Sequence, residues 1–167
     1  MSELLEEVRL WNTPAIGAFL LFRFTQGYIA EHADGAAPVA INHFIALPIL
    51  TNERLKSPIS NMRADLQSFV RSFEDSKSSD VFLDIQERIK QKKVAIWSAI
   101  DFAVANGLLF WDFERAKLYA RTEEIVPQKG KGLKESLKKD GEKAEILGRW
   151  FAQHDIHTIC AYLKIVL

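Results

Sequence analysis

Few residues in this sequence have the types and spacing that metal binding or acid–base catalysis requires. His154 and His157 flank Asp155 and could place two imidazoles near one metal ion. They straddle a predicted helix junction, and no third ligand lies at a suitable spacing, whereas zinc sites use three or four protein ligands. Asp84 and Glu87 could form the acidic pair of a metal-dependent nuclease, but they fall on a predicted helix among other charges, which is typical of a solvated face. The sequence therefore predicts no metal site.

Nucleophilic and nucleotide-binding chemistry also lack a clear candidate. Cys160 lies in the middle of an apolar helix face, which favours a buried structural thiol, because a nucleophilic cysteine needs an accessible, electropositive setting. The chain contains no Gly-x-x-x-x-Gly-Lys-Ser/Thr phosphate loop and no Gly-x-Ser-x-Gly elbow. His32 and His43 are isolated, so ordinary polar roles are expected for both. We therefore predict no catalytic residue, no cofactor and no enzymatic activity.

The main charge feature is a basic tract from Lys129 to Lys143. Six lysines there stand against three acids, and Gly130, Gly132 and Gly141 predict a flexible segment. Lysines on a mobile loop can neutralise phosphates without reading base sequence. A solvated connector explains the same composition, and the interleaved acids favour it. The lysines that would contact the DNA backbone are Lys129, Lys131, Lys134, Lys138 and Lys139.

A group of aromatic residues, Trp111, Phe113 and Tyr119, lies on a predicted β-hairpin. Alternation along a strand sends some of these side chains outward. Because exposed aromatic residues tend to anchor protein interfaces, the group is a candidate partner interface. Ordinary packing of the hairpin on its own helices is the alternative.

Predicted helices must position these residues. A segment that starts at Pro14 is apolar on nearly every side until Asp34-Gly35 stops it, which predicts a buried helix. Val39–Leu50 is a second apolar segment, and Pro48 within it predicts either a short helix that ends near Leu47 or a kinked helix.

Polar capping residues divide the remainder of the chain. Ser60-Asn61 offers a cap for a third helix, and the polar segment Glu74–Asp80 is the predicted main internal linker. Ser79 is expected to cap a fourth helix. Near the C-terminus, Asp140 and Asp155 are expected to cap the last two helices.

After a fifth predicted helix, Val94–Asn106, the spacing of apolar residues changes from that of a helix to that of a β-strand. Gly107 lies where a helix C-terminus favours glycine, and residues 108–111 and 117–120 then flank a polar turn. Two helices, a glycine stop and a hairpin follow the order of a winged helix-turn-helix, although unrelated α+β domains share that order. We predict a mainly α (α+β) protein with a winged helix-turn-helix-like unit and a small hairpin wing.

Length and composition fit a globular protein. The chain has 167 residues with 22 Lys+Arg against 22 Asp+Glu, so its formal net charge is zero. The single cysteine and the absence of a basic N-terminal stretch leading into an apolar run predict a cytoplasmic protein. We predict one compact domain in three parts: an N-terminal helical part (1–75), a winged-helix-like unit (80–125), and a basic linker with C-terminal helices (126–167).

An ordered set of short segments resembles a known family. The sequence is similar to the middle component of three-component ABC-ATPase (ABC-3C) systems, a group that includes the small subunit of Lamassu-type anti-phage defence. The resemblance extends over nearly the whole chain, although the ending Lys164–Leu167 departs from the small-residue and proline ending of that pattern. The matching segments are Asn12–Leu21, Gly27-Tyr28, Leu47–Leu50, Ala105–Leu109 and Leu147–Phe151.

The resemblance implies a non-enzymatic adaptor subunit. In such systems a Rad50- or SMC-like ATPase senses DNA and a separate effector, often a nuclease, does the damage. The middle component would link the two and would hold the effector inactive until DNA is engaged. Similarity to winged-helix accessory subunits of SMC complexes agrees with the helix–helix–hairpin order.

The competing function is that of an autonomous winged-helix transcriptional regulator. Such a protein reads base edges with Arg or Lys on the exposed face of its second helix. In the candidate recognition helix, Val94–Asn106, Asp101 is the only charged residue, although Lys90, Lys92 and Lys93 precede it. This composition weighs against base reading.

Overall fold

The computed structural model describes residues 3–60, 64–121 and 134–167. This part of the chain is mainly helical with one two-stranded antiparallel hairpin, as predicted. No helix within it combines the length and apolar character needed to cross a bilayer. The elements are α1 (Glu3–Trp11), α2 (Pro14–Glu31), α3 (Ala40–Leu50), α4 (Glu53–Lys56), α5 (Leu66–Asp75), α6 (Val81–Gln91), α7 (Lys93–Ala105), β1 (Leu109–Asp112), β2 (Lys117–Ala120), α8 (Glu135–Ala152) and α9 (Ile156–Leu163).

Helix α2 is the central element, as its apolar character on all sides predicts. Pro14 occupies the first turn, where its missing N–H costs nothing. The helix packs against α1, α3, α7 and α8. Phe24, near its middle, is fully buried and meets Phe151 of α8 edge to face at 5.4 Å. Because α2 contacts elements from all three predicted parts, it connects the chain ends to the hairpin unit.

Glycines allow α2 and α8 to approach closely. A Cβ built on Gly27 would lie 2.1 Å from the carbonyl oxygen of Glu145, and one built on Gly148 would lie 2.0 Å from that of Phe24. Both distances are far below van der Waals contact with backbone atoms that cannot rotate away. These two glycines therefore set the distance between the two longest helices.

Helix α3 continues through Pro48 to Leu50, so the first predicted alternative, an end near Leu47, is wrong, and the second, a kink at Pro48, stays a prediction. The proline lies in the last turn, where it removes only one backbone hydrogen bond. The amide and the hydroxyl of Thr51 both donate to the Leu47 carbonyl, at 3.0 and 2.8 Å, and stabilise the helix end.

Two predicted helix starts in the middle of the chain are displaced. Helix α5 begins at Leu66, and its cap is Asp65, which accepts from the Ser68 amide at 2.7 Å. The predicted cap Ser60 instead donates to a nearby carbonyl, and residue 61 lies outside the described residues. Helix α6 has Asp80, not Ser79, as its N-cap residue, and no side chain caps it.

The start of α8 is the largest error in the sequence prediction. The helix begins at Glu135, so Asp140 lies inside it and is not its cap. Asp140 instead pairs with Lys56 at 3.0 Å, and Gly141 brings the helix against the ring of Phe19. Both partners are distant in sequence, so no local pattern marks this use of an Asp-Gly pair.

The C-terminal helix agrees with its prediction. Asp155 caps α9 by accepting from the Thr158 amide at 2.8 Å. Cys160 is buried on this helix, and burial raises the pKa of its thiol. The helix ends at Leu163, and the next residue, Lys164, adopts the left-handed conformation, with the Ile165 amide donating to the Cys160 carbonyl at 2.9 Å.

The helix–helix–hairpin order is confirmed. A single residue, Lys92, separates α6 from α7, and Gly107 with φ of 69° ends α7. The amide of Leu108 closes that end by donating to the Ala103 carbonyl at 2.9 Å. The assignment as a winged helix-turn-helix and the division of the chain at residues 75–80 and 125–126 stay predictions.

Candidate interaction surface

The hairpin register separates the three aromatic residues that the sequence groups together. Trp111 pairs with Leu118, whereas Tyr119 pairs with Phe110. Directly opposite residues share a face and neighbours along a strand alternate. Trp111 and Phe113 therefore lie on one face of the hairpin, and Tyr119 lies with Phe110 on the other.

Trp111 and Phe113 belong to a continuous row of rings that we call the aromatic ladder: Phe44, Trp97, Trp111 and Phe113. Phe44 of α3 meets Trp97 of α7 edge to face, with ring centroids 5.0 Å apart. Trp97 stacks on Trp111 at 6.1 Å, and Trp111 stacks on Phe113 at 5.6 Å. The ladder thus joins two helices and the hairpin, and each contact is in the favourable range for aromatic pairs.

Much of the ladder is exposed. Phe113 is 82% exposed and Trp97 is 39% exposed, while Trp111 between them is half-buried. Val94 on α7 and Ile41 on α3, 79% and 38% exposed, lie one turn from Trp97 and Phe44. These side chains present apolar area on the order of 500 Å², near the upper end of what a soluble monomer leaves uncovered.

Well-packed elements hold the ladder in place. The Ala40 amide at the start of α3 donates to the Ala116 carbonyl at 2.7 Å, and the Leu118 amide donates to Pro38 at 3.1 Å. These bonds attach α3 to the hairpin. Helix α7 is fixed from behind by α2, where a Cβ on Gly17 would lie only 2.8 Å from Ala99. The ladder is therefore a preformed surface.

The charge around the ladder is sparse and of both signs. Asp101 is the only charged residue from 94 to 105 on α7, and Lys93 precedes this stretch. At the hairpin tip, Arg115 lies 3.9 Å from Asp112, and Glu114 is exposed beside it. A surface that is apolar in the middle and of mixed charge at its rim suits another protein better than a polyphosphate.

The basic tract does not form a single feature. Residues 135–143 belong to α8, so the prediction of a flexible segment is wrong there, and Lys129 and Lys131 lie outside the described residues. Lys134 is the N-cap residue of α8, and Lys138 and Lys139 follow in its first turns. All three are exposed. They add positive charge at the end of a helix where the macrodipole disfavours it, so their presence does not stabilise α8.

Lys143 points inward, unlike those lysines. Its ammonium donates to the carbonyl oxygens of Lys56, Ser57 and Ile59 at 3.3, 3.1 and 2.7 Å, just beyond α4. Burial, together with the nearby charge of Lys56, lowers the pKa of Lys143. This lysine joins α8 to the α4 turn and is a structural cation.

Lys56 is itself buried between two carboxylates. It lies 3.1 Å from Glu53 and 3.0 Å from Asp140. Burial alone would lower the pKa of Lys56, but the hydrogen bonds and charges of Asp140 and Glu53 outweigh it, so that the pKa is raised. Lys56, Glu53 and Asp140 therefore form an ion-pair cluster with a structural role.

The candidate metal-binding residues remain apart. His154 packs edge to face against Tyr162 at 5.3 Å, and Glu87 accepts from Gln91 at 2.9 Å. Within the described part of the chain, no three His, Cys, Asp or Glu side chains gather as metal ligands would. Asp84 is exposed on α6 beside other polar residues.

The sequence gives no sign of the most perturbed titratable group in the described structure. His43 on α3 is fully buried, with Nε2 2.8 Å from the Thr25 hydroxyl and its ring against Phe24. Burial lowers the pKa of His43 to about 4, so the imidazole is neutral at physiological pH. The sequence shows only that His43 lies on an apolar helix, which does not distinguish a buried neutral imidazole from an exposed one.

Comparison with protein-family models supplies the identity of the chain. Residues 1–167 match the model described as ABC-three component (ABC-3C) system Middle Component 3. No curated protein and no solved structure matches the chain. Since the matching model spans the whole sequence and agrees with the resemblance noted from its short segments, this protein belongs to the Middle Component 3 family of ABC-3C systems.

Proposed function

We propose that this middle component is a non-catalytic adaptor that bridges the ABC ATPase of its system to an effector. A Rad50- or SMC-like ATPase would sense DNA, a nuclease-like effector would attack it, and this chain would hold the effector inactive until DNA is engaged. Family membership supports a place beside an ABC ATPase and a further component. A role in anti-phage defence of the Lamassu type, in the cytoplasm, is part of the same proposal.

The observation that carries this proposal is the exposed aromatic ladder. Phe and Trp are enriched in protein interfaces, and Trp is among the residues that contribute most of the binding energy when they become desolvated in well-packed pockets. The Phe113 side chain is 82% exposed, so it contributes little to the hydrophobic core of this chain. Its exposure costs solubility, and a protein partner that covers it explains why it is there.

An adaptor can control an effector only through contacts that differ between two states of the assembly. A partner that binds both states with equal affinity would not shift the equilibrium between them. A coupling of about 1–3 kcal/mol between ATPase and effector would change effector engagement by roughly 5- to 150-fold. A preformed docking surface suits this task, because little of the binding energy is lost in ordering it.

A sequence-reading DNA regulator is the competing function, and the exposed side of α7 argues against it. Val94, Trp97 and Phe102 are exposed there together with Asp101. A recognition helix would carry donors for base edges at such positions. Contact with the DNA backbone remains part of the adaptor proposal, with Lys129, Lys131, Lys134, Lys138 and Lys139 as the contacting residues.

Reconstitution of the purified three components tests the adaptor role. We expect the ATPase and the effector to co-elute in size-exclusion chromatography only when this chain is present, and DNA to stimulate the effector only in the three-part complex. The same complex and the same stimulation without this chain would refute the adaptor role. A substrate turned over by the isolated chain would refute its non-catalytic part.

Fluorescence anisotropy with duplex DNA separates the two functions. We expect the isolated chain to bind weakly, without sequence preference, and to lose affinity as salt increases. Lys138→Glu with Lys139→Glu should weaken this binding further. The same double charge reversal at Lys77 and Lys164, exposed lysines outside α6, α7 and α8, serves as the matched control. Tight, sequence-selective binding would instead favour the regulator.

A further inference from the structure

We infer that the aromatic ladder docks against the apolar stripe of an α-helix in a partner component. This inference rests on the adaptor function and specifies one of its two interfaces. It follows from four properties of the surface: its charge, its size, its length and the closed edges of the hairpin beside it.

Charge excludes nucleic acid as the occupant. Proteins that stack bases on aromatic side chains combine those rings with cations that follow the phosphate backbone. The charged residues that border the ladder are of mixed sign, three acidic and two basic: Asp101, Asp112, Glu114, Lys93 and Arg115. A polypeptide with mixed charges is complementary to such a rim, and a polyphosphate is not.

The size of the surface is that of a complete protein interface. A standard interface buries roughly 800 Å² on each partner, somewhat more than half of it apolar. The ladder with Ile41 and Val94 offers on the order of 500 Å² of apolar area, which matches that share. The surface is therefore large enough for one protein partner, and a second copy of this chain is one of the outcomes that the crosslinking test separates.

The hairpin edges exclude an added β-strand. On the β2 edge, Pro38 and Ala40 already bond to Leu118 and Ala116. On the β1 edge, the Arg121 amide donates to the Leu108 carbonyl, so the alternating register turns the backbone groups of Leu109 and Trp111 outward. Leu109 is fully buried and its backbone is inaccessible, so of these two residues only the half-buried Trp111 could pair with a further strand, which leaves this edge too short for strand addition.

Length and shape fit a helix. The path from the Phe44 ring through Trp97 and Trp111 to the Phe113 ring is about 17 Å long, close to three turns of α-helix at 5.4 Å per turn. The rings touch each other, so no gaps receive separate side chains. A helix that places apolar residues at i, i+4, i+7 and i+11, which span about 16.5 Å at 1.5 Å per residue, would cover this strip along its length.

Photo-crosslinking in the reconstituted complex tests the inference. Phe113→p-benzoylphenylalanine places the crosslinker in the ladder, and Phe110→p-benzoylphenylalanine places it on the opposite hairpin face. We expect crosslinks from position 113 to partner residues spaced three and four apart, and few from position 110. Spacing of two, a crosslink to a second copy of this chain, a crosslink to DNA, or no partner crosslink would each overturn the inference.

Affinity measurements supply the second readout. Phe113→Ala should weaken binding of the crosslinked partner at least tenfold, whereas the matched Phe110→Ala, also exposed on β1, should stay within twofold of the parent. Val94→Ser, at another exposed position, should weaken binding as well and guards against a local folding defect of the hairpin. If the chain still bridges its partners but none of these variants loses affinity, the docking inference fails while the adaptor function stands.

Discussion

Adding one methyl group to Gly148 should separate α2 from α8 and destabilise the protein. In the structure this methyl would lie 2.0 Å from the Phe24 carbonyl oxygen and 2.9 Å from the Tyr28 nitrogen, where ordinary contacts begin at 3.4 Å. The helices must therefore move apart by more than 1 Å. That movement loosens the packing of Phe24 against Phe151, two of the largest fully buried side chains.

Two opposing free energies decide the size of the effect. Alanine is about 1 kcal/mol more favourable than glycine inside a helix. Overpacking of a filled core costs about 1–3 kcal/mol and occasionally more, through side-chain and backbone shifts. Because this methyl would meet backbone atoms that cannot turn aside, we place its cost at about 3–4 kcal/mol, above the typical range. We expect Gly148→Ala to lower the free energy of unfolding by about 2–3 kcal/mol, which corresponds to a fall of roughly 5–10 °C in Tm for a domain of this size.

Urea unfolding followed by tryptophan fluorescence measures this change, and Gly141→Ala is the matched control. It makes the same substitution in the same helix, but its methyl would meet the ring of Phe19 at 2.9 Å and Arg23 at 3.5 Å, side chains that can turn aside. We expect this control to stay within about 1 kcal/mol of the parent. If Gly148→Ala proved as stable as Gly141→Ala, the close crossing of α2 and α8 would be wrong.

Two further predictions concern buried polar groups. The imidazole of His43 has a pKa of about 4 in the folded protein and about 6.5 in the unfolded chain. Between these two pH values the unfolded chain therefore binds more protons than the folded protein. The free energy of unfolding should be highest above pH 6.5 and should fall by about 3 kcal/mol as the pH drops to 4. Urea unfolding between pH 7.5 and 4 should show a shallower fall for His43→Gln, and equal slopes would contradict this origin. Lys143→Met removes three hydrogen bonds to carbonyl groups near α4, and we expect a loss of about 1–2 kcal/mol. Thermal unfolding of Lys138→Met, an exposed lysine of the same helix, should be unchanged, and an equally small effect at Lys143 would refute its structural role.

Local signals in the sequence are sufficient for much of the fold. The apolar character of α2, the glycine at 107 and the aspartate at 155 each act within one or two helical turns, and each predicts the observed element. The hairpin follows from alternation and a polar turn. Such signals are reliable because the residues that satisfy them are neighbours in the chain.

Residues whose partners are distant in sequence could not be predicted in this way. Asp140 resembles a helix cap until Lys56 is found beside it, and a Gly-containing basic tract resembles a loop until Gly141 meets Phe19. No helix was predicted for α1 or α4. Helix α1 does carry apolar residues at helical spacing, at positions 4, 8 and 11, so a local signal for it is present in the sequence. The four-residue helix α4 has only its Asn52 cap as a local signal, and the rest of its stability depends on packing that a local pattern does not contain.

In the candidate site, too, the sequence predicts the residues with local partners and misses those whose partners are distant in the chain. Strand alternation identifies Trp111 and Phe113, but Phe44 and Trp97 join them only through the packing of α3 and α7. One signal in the sequence could have indicated Trp97. Helix α7 is apolar on more sides than a helix at the edge of a small domain can bury, so some of its large side chains must face solvent or a partner.

The position of α2 has a consequence for how an adaptor of this build would transmit a signal. The helix packs against α3 and α7, which carry the ladder, and against α8, whose first turns carry the exposed lysines. Its contacts with α7 and α8 are set by glycines with no room for adjustment. We therefore expect the ladder and the start of α8 to move as one body, so that in the proposed adaptor a displacement imposed on either surface would reach the other without any rearrangement inside this chain. A rigid link of this kind transfers displacement between two partners, and its efficiency depends on the tightness of the α2–α8 crossing that the Gly148 variant tests.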